Sequence, residues 1–270
     1  MKFLTMADNS WDRNRPESVV SMSDKNTNNE ARAPTATISS IDFERPQTWE
    51  KKVYLTIDID WAHDDILADT IQIVEKAGVC ATWFVTHETH VLSSLRSNPR
   101  FELGIHPNFN FLLQGDARMG ATAEEVIEGI LEVVPEAKSV RSHSMTQSSV
   151  LLDLFKEKGL THDCNHFIPH EVGLRLRPWK FWNGLTRVPY FWEDDVAFIN
   201  KENTPFKRLV GCSGIRVFNF HPIHVFLNTE SMDRYERTRD IHKCPKKLID
   251  HRGDSSQGGR YRLCELLESL

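Results

Sequence analysis

From residue 51 onward, apolar runs of strand length alternate with segments of helical period, and this alternation restricts the possible folds more than any other feature of the chain. The runs KVYLTIDID, CATWFVT, FELGIH, KSVRS, LTHDCN, LTRVPYFW and IRVFNFH read as strands. Between them, Ile66, Thr70, Ile71, Val74 and Ala77 keep helical spacing up to Gly78, a helix stop. TAEEVIEGILEVV opens on a capping box, Thr122 followed three residues later by Glu125, and residues 148–158 read as a helix ending at Gly159. Strands mostly separated by helices need crossover connections, so the expectation is an α/β fold with a parallel sheet or barrel.

Residues 1–45 are rich in Ser, Asn, Thr, Asp and Pro and lack a sustained apolar period, so a disordered tail is expected there and one folded domain over 46–270. With 40% hydrophobic residues the folded part can bury a full core. A net charge of -5 and the absence of a long basic run argue against a nucleic-acid partner. Five cysteines form no CxxC pair and suit a reducing compartment. No apolar run has the length of a signal-peptide core or a membrane span, so the expected location is cytoplasmic, without membrane insertion.

In LTIDIDWAHDD, side chains of a strand alternate, so Val53, Leu55, Ile57 and Ile59 share one face and Tyr54, Thr56, Asp58 and Asp60 the other. Two carboxylates aimed the same way repel unless a metal, a basic partner or a shared proton compensates them, or unless they are solvated in a loop. In α/β barrels the working residues collect at the carboxyl ends of the strands. That rule selects Asp58 and Asp60, His106, Arg141 with His143, and His221. If a helix starts at Pro107, Asn110 lies one turn beyond His106, and carboxylate, imidazole and amide oxygen together suit a divalent ion. Otherwise His106 caps a helix and Asn110 bonds within a loop.

VYLTIDIDWA resembles the first motif of the polysaccharide deacetylase family (carbohydrate esterase 4, NodB homology). ATWFVT resembles its second strand, ELGIHPNFN its histidine motif, SVRSHS its arginine motif, LTRVPYFWEDD its tryptophan and aspartate motif, and VFNFHPIH its last histidine motif. The ordered series, over residues 51–225, carries the resemblance. It implies a distorted (β/α)7 barrel, a carbohydrate substrate and metal-dependent hydrolysis of an N-acetyl group. The spaced DID, with RSHS and FHPIHVFLN, is most similar to a branch found in O-antigen and lipopolysaccharide gene clusters.

Carried over by position, the resemblance makes Asp58 the general base, Arg141 its orienting partner and His221 the general acid. Asp60, His106 and Asn110 would hold a divalent ion, zinc in the first instance. Asn110 stands where the family has a second histidine, and an amide oxygen is a poorer zinc ligand than imidazole. His143 replaces a proline of the arginine motif; it completes the metal site, contacts substrate or packs, and is grouped here with Trp192 as a substrate contact. Trp192 is expected to wall the pocket, and one of Glu193, Asp194 and Asp195 to hold His221. Two rival readings keep the barrel: hydrolysis of another amide, such as a cyclic imide or ureide, and a catalytically silent glycan-binding protein.

Overall fold

The computed structural model describes residues 33–270. Nine strands form one sheet: β1 (Val53–Asp58), β2 (Ala81–Val85), β3 (Phe101–Ile105), β4 (Ser139–Val140), β5 (His162–Phe167), β6 (Trp179–Lys180), β7 (Thr186–Tyr190), β8 (Trp192–Glu193) and β9 (Arg216–Phe220). Their order is β6-β7-β5-β4-β3-β2-β1-β9-β8, and every pair is parallel except β6 with β7. The sheet curls into an incomplete barrel, the distorted barrel that the family resemblance implies, and its parallel pairing is what the alternation of elements led us to expect. All seven sequence-read strands are present.

One of them is cut in two. LTRVPYFW pairs with β5 as far as Tyr190, then with β9 from Trp192. At the break, the Phe191 N–H donates to Val217 O at 3.3 Å. The chain thereby passes from one edge of the sheet to the other and draws the two edges together.

Helices cover the outside. Asp64–Ala77 starts where the His63 ring accepts the Asp65 N–H at 3.2 Å, and it stops at Gly78, whose φ of 71° a glycine adopts without strain. Ala123–Val133 begins as the capping box requires, with Thr122 Oγ1 accepting from Glu125 N at 3.1 Å; the Glu125 carboxylate reaches back to Ala121 N at 2.7 Å. The helix expected from Pro107 starts later, at Asn110, because the Asn108 side chain caps the Asn110 N–H at 2.9 Å.

The expected tail falls outside the described residues up to residue 32. Its last part, 33–45, is folded. Thr35 bridges to Val53, Ile38 N donates to Thr82 Oγ1 at 3.0 Å, and Ile41 O lies 2.8 Å from His162 Nε2. These contacts are at the starts of β1, β2 and β5, so the segment plugs the barrel end opposite the strand termini, with Ile38 wholly buried. A few apolar residues inside a polar stretch are enough to fasten it.

Candidate active site

Asp58 is the last residue of β1 and is 2% exposed. Its Oδ1 accepts from Arg141 Nη1 at 3.0 Å and its Oδ2 from Asn219 Nδ2 at 2.9 Å. Arg141 is fully buried between the rings of Phe84 and Tyr190, 4.6 and 4.2 Å from their centroids, and its Nη1 also reaches Thr56 Oγ1 at 3.0 Å. Buried charge is costly unless it is paired and bonded, and this pair is both.

Asp60 does not continue the strand. It adopts φ 38° and Trp61 φ 52°, two consecutive non-glycine residues in the left-handed region, each costing about 1–3 kcal/mol. The turn is held by Trp61 N donating to Thr86 Oγ1 at 3.0 Å and by Lys243 Nζ donating to the Trp61 carbonyl. It swings the Asp60 carboxylate over the barrel mouth toward His106, which follows β3, and His143, which follows β4.

The three donor atoms form a nearly equilateral triangle. Asp60 Oδ1 is 3.3 Å from His106 Nε2 and 3.2 Å from His143 Nδ1, and the two nitrogens are 3.3 Å apart. Among the described residues, Asp60 Oδ1 is buried without a hydrogen-bond partner, although polar atoms surround it. Ligands of a tetrahedral zinc ion, at about 2.0–2.2 Å from it, stand roughly 3.3 Å from each other, so the residues fit a divalent ion. Burial works against the charge of Asp60, but the two imidazoles, and His221 beyond them, hold its carboxyl well below the usual range.

The donor completing this triangle is therefore His143, where Asn110 was expected. With the helix starting at Asn110, the one-turn relation to His106 is lost. The Asn110 amide instead donates to Ser144 Oγ at 3.0 Å, and Ser144 is itself left-handed at φ 57°. Asn110 thus props the strained loop that presents His143.

His221 follows β9. Its Nδ1 lies 2.7 Å from Asp194 Oδ1, and its main-chain N–H donates to Asp194 Oδ2 at 2.9 Å. Asp194, fully buried, is the acid that holds it. The opposite nitrogen, Nε2, is 3.9 Å from Asp58 Oδ2 and 3.8 Å from Asp60 Oδ2. Burial disfavours the imidazolium, yet the Asp194 carboxylate, with Asp60 and Asp195, raises the pKa of His221 well above its ordinary value.

Trp192 is not on the cavity. Residues 192 and 193 pair with 218 and 219, so strand alternation puts Trp192 beside Phe218 and Glu193 beside Asn219. Trp192 packs on Phe206 and Phe220, with ring centroids 4.8 and 4.9 Å away, and its Nε1 donates to Glu202 Oε2 at 2.6 Å. It supports the site from behind. Asn219 was missed by sequence reasoning; the signal was a polar residue inside an otherwise apolar strand. Its Nδ2 also donates to Glu193 Oε1 at 2.9 Å.

Residues 55–239 match the family model of WbmS-like polysaccharide deacetylases. The chain belongs to this family. A crystal structure from Bordetella bronchiseptica, of a protein assigned as a polysaccharide deacetylase involved in O-antigen biosynthesis, is 46% identical, covering 87% of this chain and 98% of that one at a TM-score of 0.83. A family 4 carbohydrate esterase from Streptomyces lividans in complex with acetate is 11% identical over 81% of this chain and 86% of that one, at a TM-score of 0.45. A Mycobacterium smegmatis protein assigned as a polysaccharide deacetylase is 16% identical over 82% and 94%, also at 0.45. No curated protein matches. In this polysaccharide deacetylase, Asp58, Asp60, His106, Arg141, His143 and His221, drawn from four strand ends, meet at one mouth of the barrel.

Proposed function

We propose that the chain is a metal-dependent hydrolase that removes the N-acetyl group from a sugar or sugar-containing precursor in surface polysaccharide synthesis. The observation that carries this reading is the three-donor triangle of Asp60, His106 and His143, with the Asp58 carboxylate and His221 Nε2 beside it. Two imidazole nitrogens and one carboxylate oxygen suit zinc, which is the ion proposed. Held there, a divalent ion supplies a polarised amide carbonyl and a water acidified toward neutral pH.

The remaining steps belong to this chain's own residues. Asp58, oriented by Arg141 and Asn219, takes the proton of the attacking water. His221 gives a proton from Nε2 to the departing nitrogen, because an amine cannot leave as an anion. Asp194 fixes the Nδ1 proton and so keeps Nε2 directed at the reacting centre. The pathway follows from the description of the 46% identical relative. A cytoplasmic location is proposed with it: all five cysteines are unpaired, and among the described residues no helix is long and apolar enough to cross a membrane.

A catalytically silent glycan binder would not need a buried, hydrogen-bonded Asp58–Arg141 pair beside the triangle. Acetate release from N-acetyl sugars tests the proposal. Wild-type protein should release acetate, lose that activity with a chelator and regain it with Zn2+. Asp58→Asn should lower kcat by about 10³. Metal-loaded protein that turns over a cyclic imide and no N-acetyl sugar would overturn the assignment.

A further inference from the structure

The cavity beside the triangle, about 320 Å3, has two walls of different origin. One carries the strand-end chemistry, with Asp60, His143 and His221. The other comes from residues 231–243, chiefly Met232, Tyr235 and His242. No motif marks this second wall, and the family match ends at residue 239, before His242.

The wall is fastened. Its helix, Met232–Arg237, is tied down by Arg234, which pairs with Glu230 at 2.6 Å and donates to His251 O at 2.8 Å. The Tyr235 ring is flanked by His224 and His242, with centroids 5.0 and 4.6 Å away, and His242 is held by Thr238 Oγ1 at 3.1 Å. Half-buried, the ring turns its remaining surface to the cavity.

Among the described residues, Tyr235 makes its hydrogen bonds through the main chain, so its hydroxyl is free for a ligand. Burial, and after it the negative charge of Asp60, raises the pKa of that hydroxyl, so it stays a donor at neutral pH. The phenol is thus within electrostatic reach of the metal-binding carboxylate. A pyranose offers one face of C–H groups and a rim of hydroxyls, which suits an aromatic face with a polar tip. The volume is near the lower end of the roughly 300–1,000 Å3 of small-molecule sites, room for one sugar unit.

We propose that Met232, Tyr235 and His242 form the sugar-binding wall of this cavity, taking one N-acylated monosaccharide unit with its C–H face on the Tyr235 ring and a hydroxyl at Tyr235 Oη. The inference rests on the deacetylase reading, which sets the amide against the opposite wall.

Calorimetry and saturation-transfer NMR with N-acetylglucosamine and N-acetylgalactosamine on the Zn2+-loaded full chain read affinity without turnover, and acetate release reads kcat and KM. Tyr235→Ala should raise Kd and KM about tenfold while kcat and bound metal stay within about twofold of wild type. Tyr235→Phe, which keeps the ring packing, should raise them about three- to fivefold. Wild-type affinity in both variants, a loss confined to kcat or metal content, or no binding of either sugar to wild type would overturn the wall. Tyr235-dependent binding without acetate release would support the wall while overturning the deacetylase reading.

Discussion

Asp58 closes a regular strand with both carboxylate oxygens bonded, to Arg141 and Asn219, whereas Asp60, two residues further, sits in a left-handed turn with a buried Oδ1 that no hydrogen bond among the described residues satisfies. The protein has completed one carboxylate and left the other incomplete. An unpaired buried oxygen costs about 1–3 kcal/mol, and the backbone strain at Asp60 adds to that, so such a residue persists where something outside the chain repays it. The contrast fits the proposed roles of a base, whose task needs a fixed orientation, and a ligand, whose task needs an open coordination position.

The largest effect that sharpens this contrast is expected in the partners of Asp60. His143→Ala should weaken Zn2+ binding by 10- to 100-fold or more, roughly what loss of a supporting or direct ligand costs. Asn110→Ala, which only loosens the loop behind His143, should cost roughly threefold or less. Metal affinities from competition with a chromogenic chelator decide the matter, and equal losses in the two variants would return Asn110 to the ligand set.

A smaller effect concerns the side of Asp58. Burial, and next the charge of Asp195, pushes the Glu193 carboxyl from 4.5 up to about 8. Below the lower value, folded and unfolded chains both keep this proton. As pH rises toward the upper value the unfolded chain releases it and the folded chain does not, so this stabilising contribution is lost through that window. Glu193→Gln cannot ionise. It should gain roughly 3–4 kcal/mol of stability relative to wild type between pH 5 and pH 8, measured by urea unfolding. An unchanged pH slope would show that Asp58 has a charged neighbour at Glu193 after all.

Local periodicity made the strands legible, and the rule that chemistry gathers at strand ends made Asp58, Asp60, His106, Arg141, His143 and His221 legible with them, though not which of Asn110 and His143 faces Asp60. What stayed hidden depends on backbone detail that no period encodes. The exchange of Asn110 for His143 follows from a helix start delayed by the Asn108 side chain and from a left-handed Ser144. Trp192 changed faces because the chain breaks at Phe191 and rejoins the sheet at its other edge. Three consecutive acids offered no way to single out Asp194 before the register of β8 on β9 was known. Tyr235 lies in a stretch without any motif, and the polar composition of residues 33–45 masked the few apolar side chains that anchor them.

The most direct measurement is the metal content of purified Asp58→Asn and Asp60→Ala after loading with Zn2+ and desalting, by plasma mass spectrometry. About one ion per chain in wild type and in Asp58→Asn, and next to none in Asp60→Ala, is the predicted result. Asp60→Ala that keeps its ion, or Asp58→Asn that loses it, would contradict the division of labour between the two aspartates.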